Sequence, residues 1–187
     1  EASAPGDLAQ VSLVPLGAQW RYYDSGYLAG TVWRSNGFVD STWNIGAAPL
    51  GYGDDNIVTT VKYGPSTTAR YITTWFRHSF TVDDPARFLS VTLGLIRDDG
   101  AAVYLNGIEI FRSNLPSGTL STITRASASV TITGVLVAAV AHTVLAWTIY
   151  SHNLGMYLAV TTVCLVRSLV AAGVVLGGRL VPTSESK

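Results

Sequence analysis

Three pairs of adjacent aspartates are the first residues whose types suggest chemistry: Asp54-Asp55, Asp83-Asp84 and Asp98-Asp99. Calcium takes about six to eight oxygen ligands, which loop carboxylates and backbone carbonyls can supply. Turn formation is the alternative, because aspartate hydrogen-bonds nearby backbone, and Pro or Gly directly follows the second and third pairs. No loop has the alternating ligand pattern of an EF-hand. Turn formation therefore accounts for the second and third pairs, and calcium stays open at Asp54-Asp55.

Aromatic side chains are the second kind of candidate. Such side chains can stack on sugar rings, and they also dominate the packing of β-sandwich cores. A binding pocket needs convergent polar groups as well, which sequence spacing alone does not reveal. We take as candidate ligand-binding residues Trp33, Trp43, Tyr52 and Trp75.

The residues typical of catalytic and metal centres are sparse and isolated. His78, His142 and His152 have no metal-ligand spacing, and we expect His78 to face solvent from a strand. A single cysteine, Cys164, excludes an internal disulfide and a zinc cluster. No G-x-S-x-G motif marks a nucleophilic serine. We therefore expect a protein that is not an enzyme.

The clearest structural signal lies in residues 91–112. Apolar residues alternate from Val91 to Leu95, as in a strand with one buried face. After a turn at Asp98-Asp99-Gly100, a second strand reaches Leu105, and Asn106-Gly107 follows at once. Both positions of a type I′ hairpin turn need positive φ, which Asn and Gly tolerate best. The pattern predicts two antiparallel strands joined by a tight turn.

Composition excludes some partners. The formal net charge is zero and the pI is about 7.1, so we expect no nucleic-acid partner. Charged residues make up 13% of the chain, against roughly 25% in typical soluble domains. The apolar runs at 135–149, 156–166 and 169–181 admit membrane helices. Their Val, Thr and Ile content favours buried strands instead, so a membrane partner is not expected.

Several motifs in this order resemble the galactose-binding-like jelly-roll modules appended to large secreted bacterial proteins, among them metallophosphatases and lamin-tail-domain proteins. The similarity covers roughly residues 13–125 and continues more weakly to 166. The resemblance implies an all-β, antiparallel jelly-roll β-sandwich with extended terminal segments. The motifs are Trp20-Arg21-Tyr22, Thr31-Val32-Trp33-Arg34, Asp40-Ser41-Thr42-Trp43, Ala48-Pro49-Leu50-Gly51-Tyr52-Gly53-Asp54, Tyr71-Ile72-Thr73-Thr74-Trp75-Phe76-Arg77, Arg97-Asp98-Asp99-Gly100 and Tyr104-Leu105-Asn106-Gly107.

The resemblance also implies where ligands would bind. Related modules often hold a structural calcium ion, which makes Asp54 and Asp55 the best candidates for such a site. Apart from this calcium, no cofactor is expected. Trp33 and Trp43 flank the loop region where sugar sites of such modules lie. The chain begins at Glu1 rather than Met, so we expect that a leader has been removed and that the protein is extracellular, either secreted or on the cell surface.

The domain prediction has three parts: an N-terminal arm (1–12), the sandwich (13–167) and an apolar C-terminal tail (168–187). The tail has no polar face in residues 168–178 and must be buried. Strand donation to a neighbouring copy would bury it. The first functional hypothesis is thus a structural subunit that assembles into a homopolymeric fibre or surface layer; the alternative is a carbohydrate-binding accessory module whose partners are glycans. The expected assembly interface consists of Val11, Leu13, Leu169, Val170, Val174, Val175 and Leu176.

Overall fold

The fold is all-β and consists mainly of antiparallel sheets, which confirms the predicted fold class. The computed structural model describes residues 10–129 and, beyond them, the segments 136–140, 156–163, 169–171 and 175–180. The strands in these residues are β1 (Gln10–Val14), β2 (Gln19–Tyr23), β3 (Asn44–Ala47), β4 (Leu50–Tyr52), β5 (Thr59–Thr60), β6 (Thr73–Phe80), β7 (Phe88–Leu95), β8 (Gly100–Leu105), β9 (Ile108–Ser113), β10 (Leu136–Val140), β11 (Met156–Val163), β12 (Leu169–Ala171) and β13 (Val175–Leu180).

Two sheets form the sandwich. The four-stranded sheet has the order β1-β13-β7-β10, and the six-stranded sheet has the order β3-β2-β6-β11-β8-β9. A small sheet, β12-β4-β5, contains one parallel pair, β4 with β5. The chain passes from β7 to β8, from β9 to β10 and from β10 to β11 by changing sheets. This alternation is the connectivity of a jelly roll.

The hairpin predicted at Asn106-Gly107 is present. Strands β8 and β9 pair antiparallel around it, and the two turn residues have φ of 49° and 85°. These positive values are those of a type I′ turn, whose twist matches that of the strands it joins. The strand predicted from Val91 to Leu95 is the second half of β7, and its alternate apolar side chains are buried.

The main core lies between the two sheets. Strands β1, β2 and β6 contribute Val14, Trp20 and Phe76, all fully buried. Leu93 on β7 and Val103 on β8 pack into the same cluster. Burying each such side chain contributes roughly 1.5–3 kcal/mol relative to exposure, so this cluster is the principal source of stability.

A second aromatic cluster lies on the opposite face of the six-stranded sheet. It contains Trp75 of β6 and Tyr104 of β8, which alternate along their strands with core residues and so point away from the main core. Trp33 and Trp43, from the connection between β2 and β3, cover them. This connection is irregular and contains a 3-10 turn at Val32–Arg34.

The apolar tail differs from the expectation of a separate segment. Its strand β13 pairs with β1 on one side and with β7 on the other, and β12 pairs with β4. The residues expected at an assembly interface thus pair within their own chain, with Leu176 opposite both Val14 and Leu93. The physical reason is that the tail satisfies its backbone hydrogen bonds in its own sheet. Leu13 packs against the main core, Val11 pairs with Gly178 in the β1–β13 ladder, and Leu169, Val170 and Val175 lie in β12 and β13.

The N-terminal boundary also differs, since β1 begins at Gln10, inside the predicted arm. Val174, residues 141–149 of the first apolar run, and both extreme terminal segments lie outside the described residues. Within the described residues, no helix has the length and apolar character needed to cross a bilayer.

Candidate functional site

A pocket of about 260 Å³ opens on the outer face of the six-stranded sheet. One wall is the loop after β2, and the other is the segment 119–122 after β9. The side chains of β6 and β8 lie between these walls. The residues that line it are Tyr27, Leu28, Gly30, Thr31, Trp33, Arg34, Thr73, Trp75, Tyr104, Thr119, Leu120, Ser121 and Thr122.

The floor of the pocket is aromatic. Trp33 packs edge-on against Tyr104, with ring centroids 5.6 Å apart and an interplanar angle of 87°. Trp75 lies on the neighbouring part of the same face and is 3% exposed. Edge-to-face contacts of this kind stabilise an aromatic pair beyond the area it buries, so the floor is held firmly.

The rim presents exposed apolar side chains. Tyr27 is 72% exposed, and its backbone carbonyl accepts a hydrogen bond from the Tyr23 hydroxyl at 3.3 Å. Val32 and Ile123, next to lining residues on opposite walls, are 66% and 75% exposed. Tyr27 is therefore the lining aromatic whose ring is most open to a ligand.

A buried arginine fixes the loop that carries Trp33. Arg77 of β6 is 1% exposed and lies on the outer face, with Trp75 two residues before it. Its Nε donates to Asp40 Oδ2 at 2.8 Å, its Nη1 donates to the Trp33 carbonyl, and its guanidinium lies 5.2 Å from the centre of the Phe38 ring. These contacts attach the β2–β3 connection to the sheet. We call this group, together with Arg21, the arginine clamp.

Arg21 completes the clamp from the solvent side. Its Nε lies 3.3 Å from Asp40 Oδ1, and its Nη1 donates to the Asp40 carbonyl at 3.3 Å. Its side chain is 37% exposed, whereas that of Asp40 is 20% exposed. One carboxylate therefore joins a buried arginine and a partly exposed one.

A polar network borders the pocket at Tyr104. Burial raises the pKa of Tyr104 above 10.0, and the negative charge and hydrogen bond of Glu109 raise it further. Arg112 donates from Nε and Nη2 to the two Glu109 oxygens at 2.6 and 2.7 Å, which lowers the pKa of Glu109 below 4.5. The Arg34 guanidinium lies 4.6 Å from the centre of the Tyr104 ring. The network keeps Tyr104 neutral and Glu109 ionised at neutral pH.

The structure brings together two of the four predicted ligand-binding residues. Trp33 and Trp75 line the pocket. Trp43 does not line the pocket but belongs to the same aromatic cluster, with its ring 5.7 Å from that of Tyr23 and 5.6 Å from that of Phe38. Tyr52 belongs to the main core and packs against Tyr63, away from the pocket.

The candidate calcium ligands Asp54 and Asp55 are both exposed. Within the described residues, no group of three or more His, Cys, Asp or Glu side chains is placed to hold a metal ion. The calcium prediction stays a prediction that rests on these two carboxylates. In the second pair, Asp84 accepts a hydrogen bond from the Ala86 backbone at 3.0 Å, as turn formation requires.

His78 is half-buried, so the expectation that it faces solvent holds only in part. Its ring lies 5.1 Å from that of Trp20, and its Nδ1 is 2.7 Å from the Gln19 carbonyl. The even-numbered position on β6 explains this, because it shares the inner face with Phe76. His78 is therefore a partly exposed residue whose ring packs against Trp20.

Several residues of the pocket and of the arginine clamp were missed by the sequence reasoning. Tyr27 lies in a stretch that reads only as loop, and no spacing distinguishes it. Arg77 had a usable signal, because a charged residue at the same strand parity as Trp75 must lie on the face with the tryptophans. Arg34 and Tyr104 come from segments that are 70 residues apart in the numbering, and only the fold brings them together.

Comparison with protein-family profiles found no match, and neither did comparison with curated proteins. Among solved structures, the chain is similar to Bacteroides uniformis β-glucuronidase 2, with a TM-score of 0.58 and 15% identity over 91% of this chain and 18% of that one. It is also similar to Bifidobacterium dentium β-glucuronidase, with a TM-score of 0.55 and 14% identity over 95% of this chain and 31% of that one. A third similar structure is a glycosyl hydrolase family 2 member from Bacteroides cellulosilyticus, with a TM-score of 0.54 and 13% identity over 90% of this chain and 20% of that one.

These likenesses show the fold alone. The chain spans less than a third of each of these larger proteins. It therefore shares a β-sandwich with one part of several glycoside hydrolases, a result compatible with the galactose-binding-like fold that the sequence resembles.

Proposed function

We propose that the protein is a non-catalytic carbohydrate-binding module and that its ligand binds in the pocket between Tyr27 and the Trp33–Tyr104 floor. The observation that carries this proposal is the combination of a firmly held aromatic floor with an open aromatic ring at the rim. Sugar rings have apolar C–H faces that stack on aromatic side chains, and their hydroxyl groups need polar partners. The pocket offers both kinds of contact.

The polar partners come from the two walls. Thr31 and Ser121 are exposed side chains on opposite sides, and each can both donate and accept a hydrogen bond. The Thr73 hydroxyl already donates to the Thr122 carbonyl at 2.9 Å and so holds the second wall to the sheet. A few fixed polar groups around an apolar floor are the usual composition of small-ligand sites.

The size of the pocket limits the ligand. Its volume of about 260 Å³ lies just under the range of roughly 300–1,000 Å³ typical of sites for drug-sized molecules. One sugar ring fills such a space, whereas a chain of rings requires an open groove. We therefore expect recognition of a single residue, either free or at the end of a glycan.

The solved structures support a carbohydrate context without assigning an activity. The B. dentium protein is a β-glucuronidase complexed with coumarin-3-O-glucuronide, and the B. uniformis proteins are β-glucuronidases. This chain matches only a part of each. An accessory role beside a sugar-processing enzyme, in an extracellular protein, is part of the proposal.

Self-assembly takes second place to carbohydrate binding. The strands expected to bridge copies already pair inside the chain, β13 with β1 and β7. Exchange between copies would first have to open these ladders. A pocket that is already formed requires no such rearrangement.

Nuclear magnetic resonance titration of the labelled protein with a panel of monosaccharides tests the proposal. At least one sugar should shift the indole signals of Trp33 and Trp75 in a saturable manner. Tyr27→Ala should weaken binding roughly tenfold, because one stacking contact is lost and ~1.4 kcal/mol corresponds to a tenfold change.

Tyr63→Ala is the matched control, since Tyr63 is also a partly exposed tyrosine (40%) but packs on Tyr52, away from the pocket. It should leave the affinity unchanged. Absence of saturable shifts with every sugar, in a folded protein, would refute the proposal. Light scattering and negative-stain imaging of the same sample would then test for filaments.

A further inference from the structure

The charge of the pocket lining points to a narrower class of ligand. Of the residues that line the pocket, Arg34 alone carries a formal charge at neutral pH. Its guanidinium lies on the Tyr104 ring and is partly buried, so it is presented beside the aromatic floor. A fixed cation in a weakly polar pocket attracts an anionic ligand group.

The acidic residue next to Arg34 and Tyr104 is Glu109, and its negative charge is already balanced by Arg112. Glu109 receives both of its close ionic hydrogen bonds from Arg112, in a fork-to-fork geometry. Arg34 forms no ion pair with any acidic residue in the part of the chain that the structure describes. Its own Nε donates to the neutral carbonyl of Thr31 at 3.3 Å. The network of Arg34, Glu109 and Arg112 thus retains one uncompensated positive charge.

The strand between β6 and β8, which carry the aromatic floor, adds no acidic residue. Strand β11, which lies between β6 and β8 and adjacent to the Val32–Arg34 turn, reads MYLAVTTV and contains no Asp or Glu. Two nearby acids are engaged elsewhere: Asp40 of the clamp pairs with Arg77, and Asp24 accepts from the Asn44 side-chain amide and the Lys62 backbone N–H. The positive charge therefore belongs to the pocket.

We infer that the pocket selects sugars that carry a carboxylate, that is, uronic acids, with Arg34 as the residue that determines this specificity. The carboxylate accepts hydrogen bonds from the Arg34 guanidinium while the sugar ring stacks beside Tyr27. Arginine suits this role because its planar fork matches the geometry of a carboxylate. The inference rests on the proposed carbohydrate-binding function and adds the ligand class to it.

The test compares methyl glucuronoside with methyl glucoside by isothermal titration calorimetry; the two sugars differ only at C6, where the first has a carboxylate and the second a hydroxymethyl group. We expect the acidic sugar to bind at least about tenfold more tightly, a ratio that corresponds to ~1.4 kcal/mol. Arg34→Gln should reduce this preference to near unity, because the neutral amide loses the charge-assisted hydrogen bonds to the carboxylate, which are roughly twice as strong as neutral ones. Arg34→Lys should retain part of the preference.

Arg87→Gln is the charge-matched control, because Arg87 is exposed at a 3-10 turn before β7 and does not line the pocket. It should leave the preference intact. Equal affinities for both sugars in the wild type, or a preference that survives Arg34→Gln, would overturn the inference while leaving sugar binding in place. Failure of both sugars and of the whole panel would instead refute the proposed function. Acetate is the further probe: if it binds as tightly as the acidic sugar, the pocket is a simple anion site and the inference fails.

Discussion

Replacing Asp40 by asparagine removes the carboxylate that Arg77 and Arg21 share and leaves the size of the side chain unchanged. Arg77 is 1% exposed, so the loss affects a cation that water cannot solvate again without movement of the loop. Breaking one side of a buried ion pair typically costs about 3–5 kcal/mol. Asp40 is 20% exposed, so we expect the low end of this range, ~3 kcal/mol.

This cost should be visible in both heat and urea unfolding. For a chain of this length, 1 kcal/mol changes Tm by roughly 2–4 °C, so Asp40→Asn should lower Tm by about 6–12 °C. Urea unfolding followed by tryptophan fluorescence gives the free energy of unfolding directly. Near-ultraviolet circular dichroism reports the Trp33–Tyr104 packing, which should weaken as the loop loosens.

Arg21→Gln provides the internal comparison, since it breaks the other contact to the same carboxylate. The Arg21 side chain is 37% exposed, and pairs with that degree of solvent screening contribute less than about 1 kcal/mol. The reasoning predicts a clear difference between the two variants. Equal losses, or a loss below about 1 kcal/mol for Asp40→Asn, would refute the view that burial of Arg77 gives the clamp its strength.

Three further predictions concern the hairpin and the Tyr104 network. Gly107→Ala should cost about 1–2 kcal/mol in urea unfolding because its φ is 85°, although an added Cβ would meet only the Arg34 carbonyl oxygen, at 3.8 Å. Gly37→Ala, with no positive φ and nothing within 4 Å of the added Cβ, should cost less than about 0.5 kcal/mol. Glu109→Gln should lower the pKa of Tyr104 toward 10.0 in a phenolate absorbance titration, since a charge and a hydrogen bond that raise it are removed. The depressed pKa of Glu109 contributes stability that is present above pH 4.5 and is lost as pH falls through the folded-state pKa. Arg112→Gln should reduce this acid-dependent part, and an unchanged pH profile of unfolding would contradict the assignment.

The sequence predicted those features that depend on neighbouring residues. Asn106-Gly107 defines its turn through the φ values that only such residues adopt readily, and the alternation before it identifies β7. Two of the aromatic residues chosen as ligand-binding candidates, Trp33 and Trp75, do line the pocket. Tyr52 has the same residue-level properties and lies in the core. The residue type does not distinguish a core from a pocket, because an aromatic side chain suits both environments equally well.

The features that the sequence missed depend on contacts between distant segments. A largely apolar strand such as Val175–Leu180 requires burial, and nothing local in its sequence determines whether it pairs in its own sheet or in that of a neighbouring copy. Arg77 and Asp40 are 37 residues apart, and their pairing follows from the path of the β2–β3 connection over β6. The pocket itself arises where two such loops meet, which is why its rim residue Tyr27 has no signature.

The pairing of β1 with β13 has a consequence for the order of events during synthesis. Strand β1 acquires this hydrogen-bonded neighbour only when β13, the last strand of the described residues, has emerged from the ribosome. At the usual rate of translation, this leaves β1 without its partner for on the order of 10 s. Contacts between such distant segments also slow folding, because a long loop must close before the pairing is gained. The nascent chain therefore leaves one hydrogen-bonding edge of β1 and one of β7 unpaired until β13 has emerged, and this interval is when chaperone binding would matter most.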